Sequence, residues 1–121
     1  MNSWIQIAGV FGAAGVTLGA FGAHALKARL TPEQLSTWET AVLYHLLHSV
    51  VILALGLYAE ATDRPVQPAA ALFSAGILLF SGSLYGLALG GPRLLGPVTP
   101  LGGLCFIAGW IALLWLARSS N

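Results

Sequence analysis

The chain has 121 residues, of which 57% are apolar and only 7% are charged, and its formal net charge is +1. Soluble domains carry roughly a quarter charged residues, so this composition cannot cover a water-facing surface, and the small net charge gives no reason to expect a nucleic-acid partner. The one cysteine, Cys105, excludes an intrachain disulfide.

Four apolar runs, separated by the few charged residues, are each long enough to cross a bilayer. We place them near residues 4–25, 38–59, 69–90 and 99–117, because a helix needs ~20 apolar residues to span a ~30 Å hydrocarbon core. Backbone groups inside lipid must be hydrogen-bonded within their own segment, which leaves helices, and short links make successive helices antiparallel neighbours. The sequence therefore predicts one all-α domain over residues 1–121, a polytopic membrane protein folded as an antiparallel four-helix transmembrane bundle.

The first span carries evenly spaced glycines, which weaken a helix in water. At about 100° per residue, one stripe of this helix contains Gly12, Gly15, Gly19 and Gly22. Lipid tails are as apolar as leucine, so helices associate here through the close contact that small side chains permit. A second stripe holds small and polar residues, namely Gln6, Ala13, Thr17, Ala20 and His24. Two stripes predict a helix that touches two neighbours, or one neighbour and a second copy of the protein. Bulky residues such as Phe11 and Phe21 form a third face, which suits lipid or loose packing.

Two Thr-Pro pairs in the links predict helix starts. In "TPEQ" at 31–34, Thr31 suits the N-cap, Pro32 the first helical position and Gln34 the reciprocal partner of a capping box. Thr99 and Pro100 repeat the cap and first position before the fourth span. Basic residues are slightly more numerous in the first and third links than elsewhere, which weakly favours a cytoplasmic location for those links.

The third and fourth spans repeat the division into a small face and a bulky face. Their glycines are predicted to pack against other helices, Gly82 and Gly86 in the third span and Gly102 and Gly109 in the fourth. Serines in such a segment usually bond back to their own helix. The hydroxyl of Tyr85 needs a partner at depth, and the histidines of the other spans are candidates.

Seven polar residues are the candidates for chemistry inside the membrane, and we expect them to form one buried cluster: Thr17, His24, Glu39, His45, His48, Ser81 and Tyr85. If the first two spans fold back on each other, His24 lies level with Glu39. His45 and His48 then lie roughly 10 Å deeper, at 1.5 Å per residue. Ionisable residues inside a membrane are functional candidates by default.

Three hypotheses for this cluster stay open. In the first, neutral histidines hydrogen-bond to hydroxyls or backbone carbonyls and hold the bundle together, because burial disfavours their charged form. In the second, His45 and His48, three residues apart on one helix face, bind a metal or a haem. In the third, His24, His48 and Glu39 move a proton or a cation. No carboxylate lies in the middle of any span, which counts against the second and third, and we predict neither a metal nor a cofactor.

Four segments in this order resemble the YgdD-like family of small membrane proteins: "LGAFGAHALK" at 18–27, "WETAVLYHLLHS" at 38–49, "LFSGSLYGLAL" at 79–89 and "TPLGGLCFIAGW" at 99–110. The resemblance covers nearly the whole chain. It implies four spans in a bacterial inner membrane, related small eukaryotic transmembrane proteins, and no established activity. The family pattern maps onto Gly22, His24, Tyr44, His48, Ser81, Gly82, Ser83, Tyr85, Thr99, Pro100 and Gly102.

The resemblance also distinguishes among the three histidines. Position 45 is often Gln in the family pattern, whereas this chain has His45. This departure weakens a metal site built from all three histidines. The resemblance therefore implies that His24 and His48 are the better functional pair.

These observations predict a small integral protein of the bacterial plasma membrane with a structural, assembly or accessory role. The sequence contains no arrangement typical of a nucleophile with its base, no phosphate-binding loop and no CxxC motif, so we predict that it is not an enzyme. Its expected partners are the lipid bilayer and either a second copy or other membrane proteins. A proton or cation carrier and a haem- or metal-binding module are the alternatives.

Overall fold

The computed structural model describes residues 3–118, apart from the side chain of Arg118, and within that range it contains helices and links but no strand. The helices, in chain order, are α1 (Ser3–Phe21) with a π-helical turn (Gly22–Leu26), α2 (Pro32–Thr62), α3 (Gln67–Gly76) with a second π-helical turn (Ile77–Ser81), α4 (Gly82–Ala88) and α5 (Leu95–Arg118).

Four stretches of this chain are long and apolar enough to cross a membrane, and we name them the first to fourth spans: Ser3–Leu26, Pro32–Thr62, Gln67–Ala88 and Leu95–Ala117. The third span consists of α3, the second π-helical turn and α4. The prediction of an all-α, four-span membrane bundle is confirmed.

The second span begins earlier than predicted because the Thr31 cap is itself the start of the membrane helix. The Thr31 side chain accepts a hydrogen bond from the backbone N–H of Gln34 at 3.1 Å, and the Gln34 side chain accepts one from the backbone N–H of Thr31 at 2.9 Å. This capping box, predicted from the sequence, starts α2, which then runs without a break for 31 residues. At 1.5 Å per residue it is about 46 Å long, so part of it projects beyond the hydrocarbon core.

The predicted start of the fourth span at Thr99 is wrong. The backbone N–H groups of Leu95 and Gly96 donate to the carbonyls of Pro92 and Arg93, three residues earlier, and form helical turns. α5 therefore begins at Leu95. Pro100 therefore lies inside α5, where it lacks the N–H that would bond four residues back. The Thr99 hydroxyl is instead hydrogen-bonded to the hydroxyl of Ser83 in α4.

The second and third spans form the centre of the bundle, and the first and fourth spans lie outside them. α1 packs mainly along α2, while α5 packs along the third span. In the most apolar part of each span, 39% of the residues in the second span and 33% in the third are buried, against 17% in each outer span. α1 thus has one principal neighbour, and most of its surface is left open.

The glycine stripe of α1 faces α2, as its close contacts show. A Cβ atom added at Gly15 would meet the side chains of Leu46 and His45, and one added at Gly22 would meet the indole of Trp38. The predicted stripe does not extend to Gly12, where an added Cβ would have no neighbour within 4 Å. Gly12 therefore lies off the contact face, although α1 and α2 stay close toward the start of α1, where a Cβ added at Gly56 would meet the backbone of Ile5.

The two phenylalanines on the bulky face of α1 have different environments, which the sequence did not predict. Phe21 is half-exposed, as expected for a lipid-facing side chain. The prediction for Phe11 is wrong, because its ring packs against the core and edge-on to the imidazole of His45, with 6.1 Å between the ring centroids. The physical reason is that α1 has its glycines on one side of the contact with α2 and fills the other side with this ring.

Glycines in the later spans let α5 approach the third span. An added Cβ at Gly102 would overlap the backbone of Phe80, and one at Gly109 would meet the ring of Phe73. Gly86 lies against the side chain of Leu95. The prediction for Gly82 is wrong, since it is exposed and has no neighbour within 4 Å of an added Cβ.

We predict that Gly102→Ala destabilises the folded protein by about 1–3 kcal/mol, because the added methyl group collides with backbone rather than with a movable side chain. The measurement is thermal unfolding of the purified protein in detergent. Gly103→Ala is the matched control, since its nearest neighbour would be the Phe80 ring at 3.9 Å. Equal stability of the two variants would contradict the assigned contact.

Candidate functional site

One level of the bundle contains most of its buried polar side chains, and we name this level the polar layer. It lies between a large apolar cluster around Phe73 and a small one around Trp38. α2 contributes one helical face to it, because positions 45, 48 and 49 follow the spacing of a helix stripe. Its buried members are His45, His48, Ser49, Ser81 and Ser83, and the partly exposed Tyr85, Thr99 and Trp110 are hydrogen-bonded to them.

His45 connects three spans through its two ring nitrogens. Its Nε2 lies 2.8 Å from the backbone carbonyl of Phe11 in α1, and its Nδ1 lies 2.8 Å from the hydroxyl of Tyr85 in α4. A carbonyl can only accept a hydrogen bond, so Nε2 carries the proton and donates it. In the neutral ring, Nδ1 then accepts a hydrogen bond from the Tyr85 hydroxyl.

His48 is held in the opposite tautomer by its own partners. An indole N–H can only donate, so Trp110 Nε1 donates to His48 Nε2 at 3.2 Å. The proton of the neutral ring is therefore on Nδ1, which donates to the backbone carbonyl of Tyr44 at 2.8 Å. The imidazole stacks on the ring of Phe106 with the centroids 3.7 Å apart.

The hydroxyl groups of the polar layer also bond between spans. Ser81 Oγ donates to the carbonyl of Ala41 at 2.8 Å and so joins the third span to α2. This contact corrects the expectation that the serines here bond within their own helix, although Ser83 does donate to the Phe80 carbonyl at 2.9 Å. The hydrogen bond between Ser83 and Thr99 links the third and fourth spans.

The prediction of one buried cluster is wrong for three of its seven residues. Thr17, His24 and Glu39 are exposed. The Thr17 hydroxyl donates to Ala13, and the His24 ring donates to Ala20, both within the first span. The depth of these residues in the membrane follows from their position along the helix. Thr17 and His24 lie on a face of the first span that no other helix covers, because α1 packs mainly against α2.

The pair of buried histidines is therefore His45 and His48, rather than His24 and His48 as the resemblance implied. All four ring nitrogens of His45 and His48 are engaged in the hydrogen bonds described above. Residues 3–118 bring together no group of three or more His, Cys, Asp or Glu side chains that could hold a metal ion. Binding a metal at either histidine would require breaking one of these hydrogen bonds.

Both π-helical turns face the same stretch of α2. Gly22 in the first turn lies against the indole of Trp38, and Ser81 at the end of the second turn bonds to Ala41. A π-helical turn accommodates an extra residue within a helix and often occurs at functional positions. Here the two turns bring the first and third spans onto α2 beside the polar layer.

Two tryptophans of the site were not predicted from the sequence to be part of it. Trp38 stands at the start of the predicted second span, where an interfacial tryptophan is the expectation, yet it is buried and its Nε1 donates to the Leu18 carbonyl at 3.0 Å. Trp110 lies inside the predicted fourth span and so does not fit an interfacial position. That misfit is the signal in the sequence, because an indole N–H inside a membrane needs an acceptor.

We predict that Trp110→Phe lowers the free energy of unfolding by about 1–2 kcal/mol, since it leaves His48 Nε2 buried without a donor. A double-mutant cycle with His48→Phe, measured by unfolding in detergent, should give a coupling of about 0.5–1.5 kcal/mol. Trp115→Phe is the control, as Trp115 is 64% exposed. A coupling of zero would mean that the indole and the imidazole do not interact.

We predict that His45→Gln retains most of the stability, whereas His45→Leu loses it. A glutamine amide offers one donor and one acceptor, which can replace Nε2–H toward Phe11 and Nδ1 toward Tyr85. Leucine leaves both of those partners unsatisfied, at a cost of about 1–3 kcal/mol each. Thermal unfolding in detergent distinguishes the two variants, and equal losses would count against the assigned hydrogen bonds.

The chain matches known membrane proteins along most of its length. Residues 18–103 match the family model described as "Protein of unknown function (DUF423)". A "UPF0382 membrane protein" of Staphylococcus haemolyticus is 46% identical over 99 residues, which cover 82% of this chain and 81% of that protein. The UPF0382 membrane protein YwdK of Bacillus subtilis is 38% identical over 115 residues, covering 93% of this chain and 94% of its own.

A further UPF0382 membrane protein, from Haemophilus influenzae, is 37% identical over 112 residues and covers 93% of this chain and 90% of its own. No solved structure matches. The likeness to YgdD-like proteins and to eukaryotic ones stays a prediction. With four spans and bacterial relatives that are named membrane proteins, the chain is a multi-pass protein of a bacterial membrane and belongs to the DUF423 family, among the UPF0382 membrane proteins.

Proposed function

We propose that this protein has a structural or accessory role in the membrane, without enzymatic activity, and that it acts by holding a second transmembrane helix against α1. The observation that carries the proposal is one exposed face of the first span. We name this face the α1 stripe; its members are Gln6, Ala13, Thr17, Ala20 and His24.

The composition of the α1 stripe differs from that of the other lipid-facing surfaces. The exposed sides of α2 and α5 present bulky aliphatic residues such as Leu43, Val50 and Leu104, which suit acyl chains. The α1 stripe presents small residues from Ala13 to Ala20 and polar residues at its two ends, and the exposed Val10 is the one bulky residue on this face, between Gln6 and Ala13. Small residues let a second backbone approach closely, and polar side chains hydrogen-bond across helices in lipid.

A second copy of the chain is the partner that fits this surface best. In a parallel pair related by a two-fold axis along the membrane normal, each residue meets its own counterpart at the same depth. The Gln6 amide has both a donor and an acceptor, so the Gln6 side chains of two copies can hydrogen-bond to each other. The His24 ring donates its Nδ1–H to Ala20, so its Nε2 is left to accept a hydrogen bond from a donor on the partner. The small residues between them allow the close crossing that such pairs require.

The polar layer supports a structural role for the interior. No buried side-chain nitrogen or oxygen within the described part of the chain lacks a hydrogen-bond partner. Its bonds run from α2 to the first, third and fourth spans. A rigid interior of this kind holds α1 in a fixed orientation and so presents the α1 stripe to a partner.

We predict that single cysteines at Ala13, Thr17 and Ala20, placed in a Cys105→Ser background, form disulfide-linked dimers when native membranes are oxidised. Close crossing brings equivalent Cα atoms near the 4.4–6.8 Å range that a disulfide needs. The measurement is the dimer fraction on a non-reducing gel.

Cysteines at Ala14 and Val16 are the matched controls. Both positions are exposed on the same helix, and they point to either side of the α1 stripe. Their dimer fraction should be several-fold lower. Equal cross-linking at all five positions, or none at any, would refute the dimer. Adducts of another mass, confined to the stripe positions, would identify a different membrane protein as the partner.

A further inference from the structure

A second surface, independent of the α1 stripe, lies at the end of the bundle where α1 starts and α2 ends. A cavity of about 350 Å³ opens there, within the size range of small-molecule pockets. We name it the interfacial pocket. Its polar lining comes from Ser3, Glu60, Asp63, Arg64 and Gln67, and its apolar lining includes Trp4 and Val66.

The charges of the interfacial pocket favour a cation. Glu60 and Asp63 are one turn apart at the carboxyl end of α2, and neither side chain has an ion pair or hydrogen bond with the residues that the structure describes. The helix dipole is negative at this end, where acidic side chains are unfavourable and a cation is favourable. The last turn of α2 contains no basic residue, and Arg64, which follows it, adds one positive charge to the lining. The two carboxylates and the helix dipole still leave the pocket with a net negative charge, which attracts a cation.

An apolar groove adjoins this pocket and extends toward the bilayer. It has a volume of about 290 Å³ and lies between α3 and α5, lined by Pro68, Ala69, Ala112 and Leu116. Pro65 lines both the pocket and the groove, and Trp115 lies at the groove. Tryptophan is enriched at the level of lipid headgroups. A polar pocket and an apolar groove that share a residue at this level match the two ends of an amphiphile.

We infer that this surface binds a phospholipid whose headgroup carries a primary ammonium. The ammonium lies between Glu60 and Asp63, where it can donate charge-assisted hydrogen bonds to both carboxylates. One acyl chain of the same lipid occupies the groove between α3 and α5. Ser3 and Trp4 close the pocket from the side of α1, so the bound lipid joins the start of the first span to the link between the second and third.

The test compares defined lipids on the purified full chain in detergent. Phosphatidylethanolamine should raise the unfolding temperature by roughly 5 °C more than phosphatidylglycerol with the same acyl chains. The variant Glu60→Gln with Asp63→Asn should lose this difference, because it keeps the shape of the lining but removes its negative charge. Glu33→Gln is the matched control, an exposed acidic residue at the opposite end of α2, and it should keep the difference.

Retention of lipid, measured by native mass spectrometry, provides a second readout that does not depend on unfolding. The wild-type protein should retain phosphatidylethanolamine in preference to phosphatidylglycerol, and Ala112→Leu, which fills the groove, should reduce that retention. Equal effects of the two lipids, or an unchanged preference in the double variant, would overturn the proposal. If soluble glycerophosphoethanolamine stabilises the protein as much as the lipid does, the headgroup alone binds and no acyl chain occupies the groove. If MgCl₂ stabilises the wild-type protein but not the double variant, the pocket binds a metal ion instead of a lipid.

Discussion

The constraint behind this structure is that helices in lipid gain nothing from hiding apolar side chains from their surroundings, so they must gain from close contact. Close contact occurs where a glycine faces another helix. Gly15 and Gly22 bring α1 onto α2, and Gly102 brings α5 onto the backbone of the third span. The arrangement of the spans therefore follows from which face of each helix has no side chain.

Close approach also makes backbone carbonyls available to neighbouring side chains. In α1, the two carbonyls that accept hydrogen bonds from α2 belong to Phe11 and Leu18. Each lies four residues before a glycine, Gly15 and Gly22 respectively. A helical side chain covers the turn that precedes it, so a glycine leaves the carbonyl of that turn uncovered. The same residue thus permits the packing and exposes the acceptor for His45 or Trp38.

The sequence predicted those features that depend on one helix alone. The periodic spacing of glycines identified the contact face of α1, and the local pattern at Thr31 identified the cap of α2. Prediction failed where two helices decide the outcome. Thr99 has the local pattern of a cap, but it bonds to Ser83 in another helix, and no pattern within α5 carries that information.

The sequence predicted how deep in the membrane the site residues lie, but not which of them face the interior of the bundle. Spacing along the helix placed His45 and His48 deeper in the bundle than His24, and the His45 ring does lie against Gly15 of the first span. Whether His24 faces the interior depends on how many neighbours α1 has, and a single sequence does not contain that number. The family pattern favoured His24 over His45 because it ranks positions by residue type, whereas the hydrogen bonds to Phe11 and Tyr85 depend on where three helices meet.

An interior whose described polar groups are all engaged leaves the surface as the place where a partner can act. The two surfaces proposed here both begin at the start of α1. Ser3 and Trp4 line the interfacial pocket, and the α1 stripe begins one turn later at Gln6. A helix bound along the stripe would end beside the pocket, so a lipid held at Glu60 and Asp63 would lie within reach of both proteins. Partner and lipid would then stabilise each other's binding through contact rather than through any change in the fold.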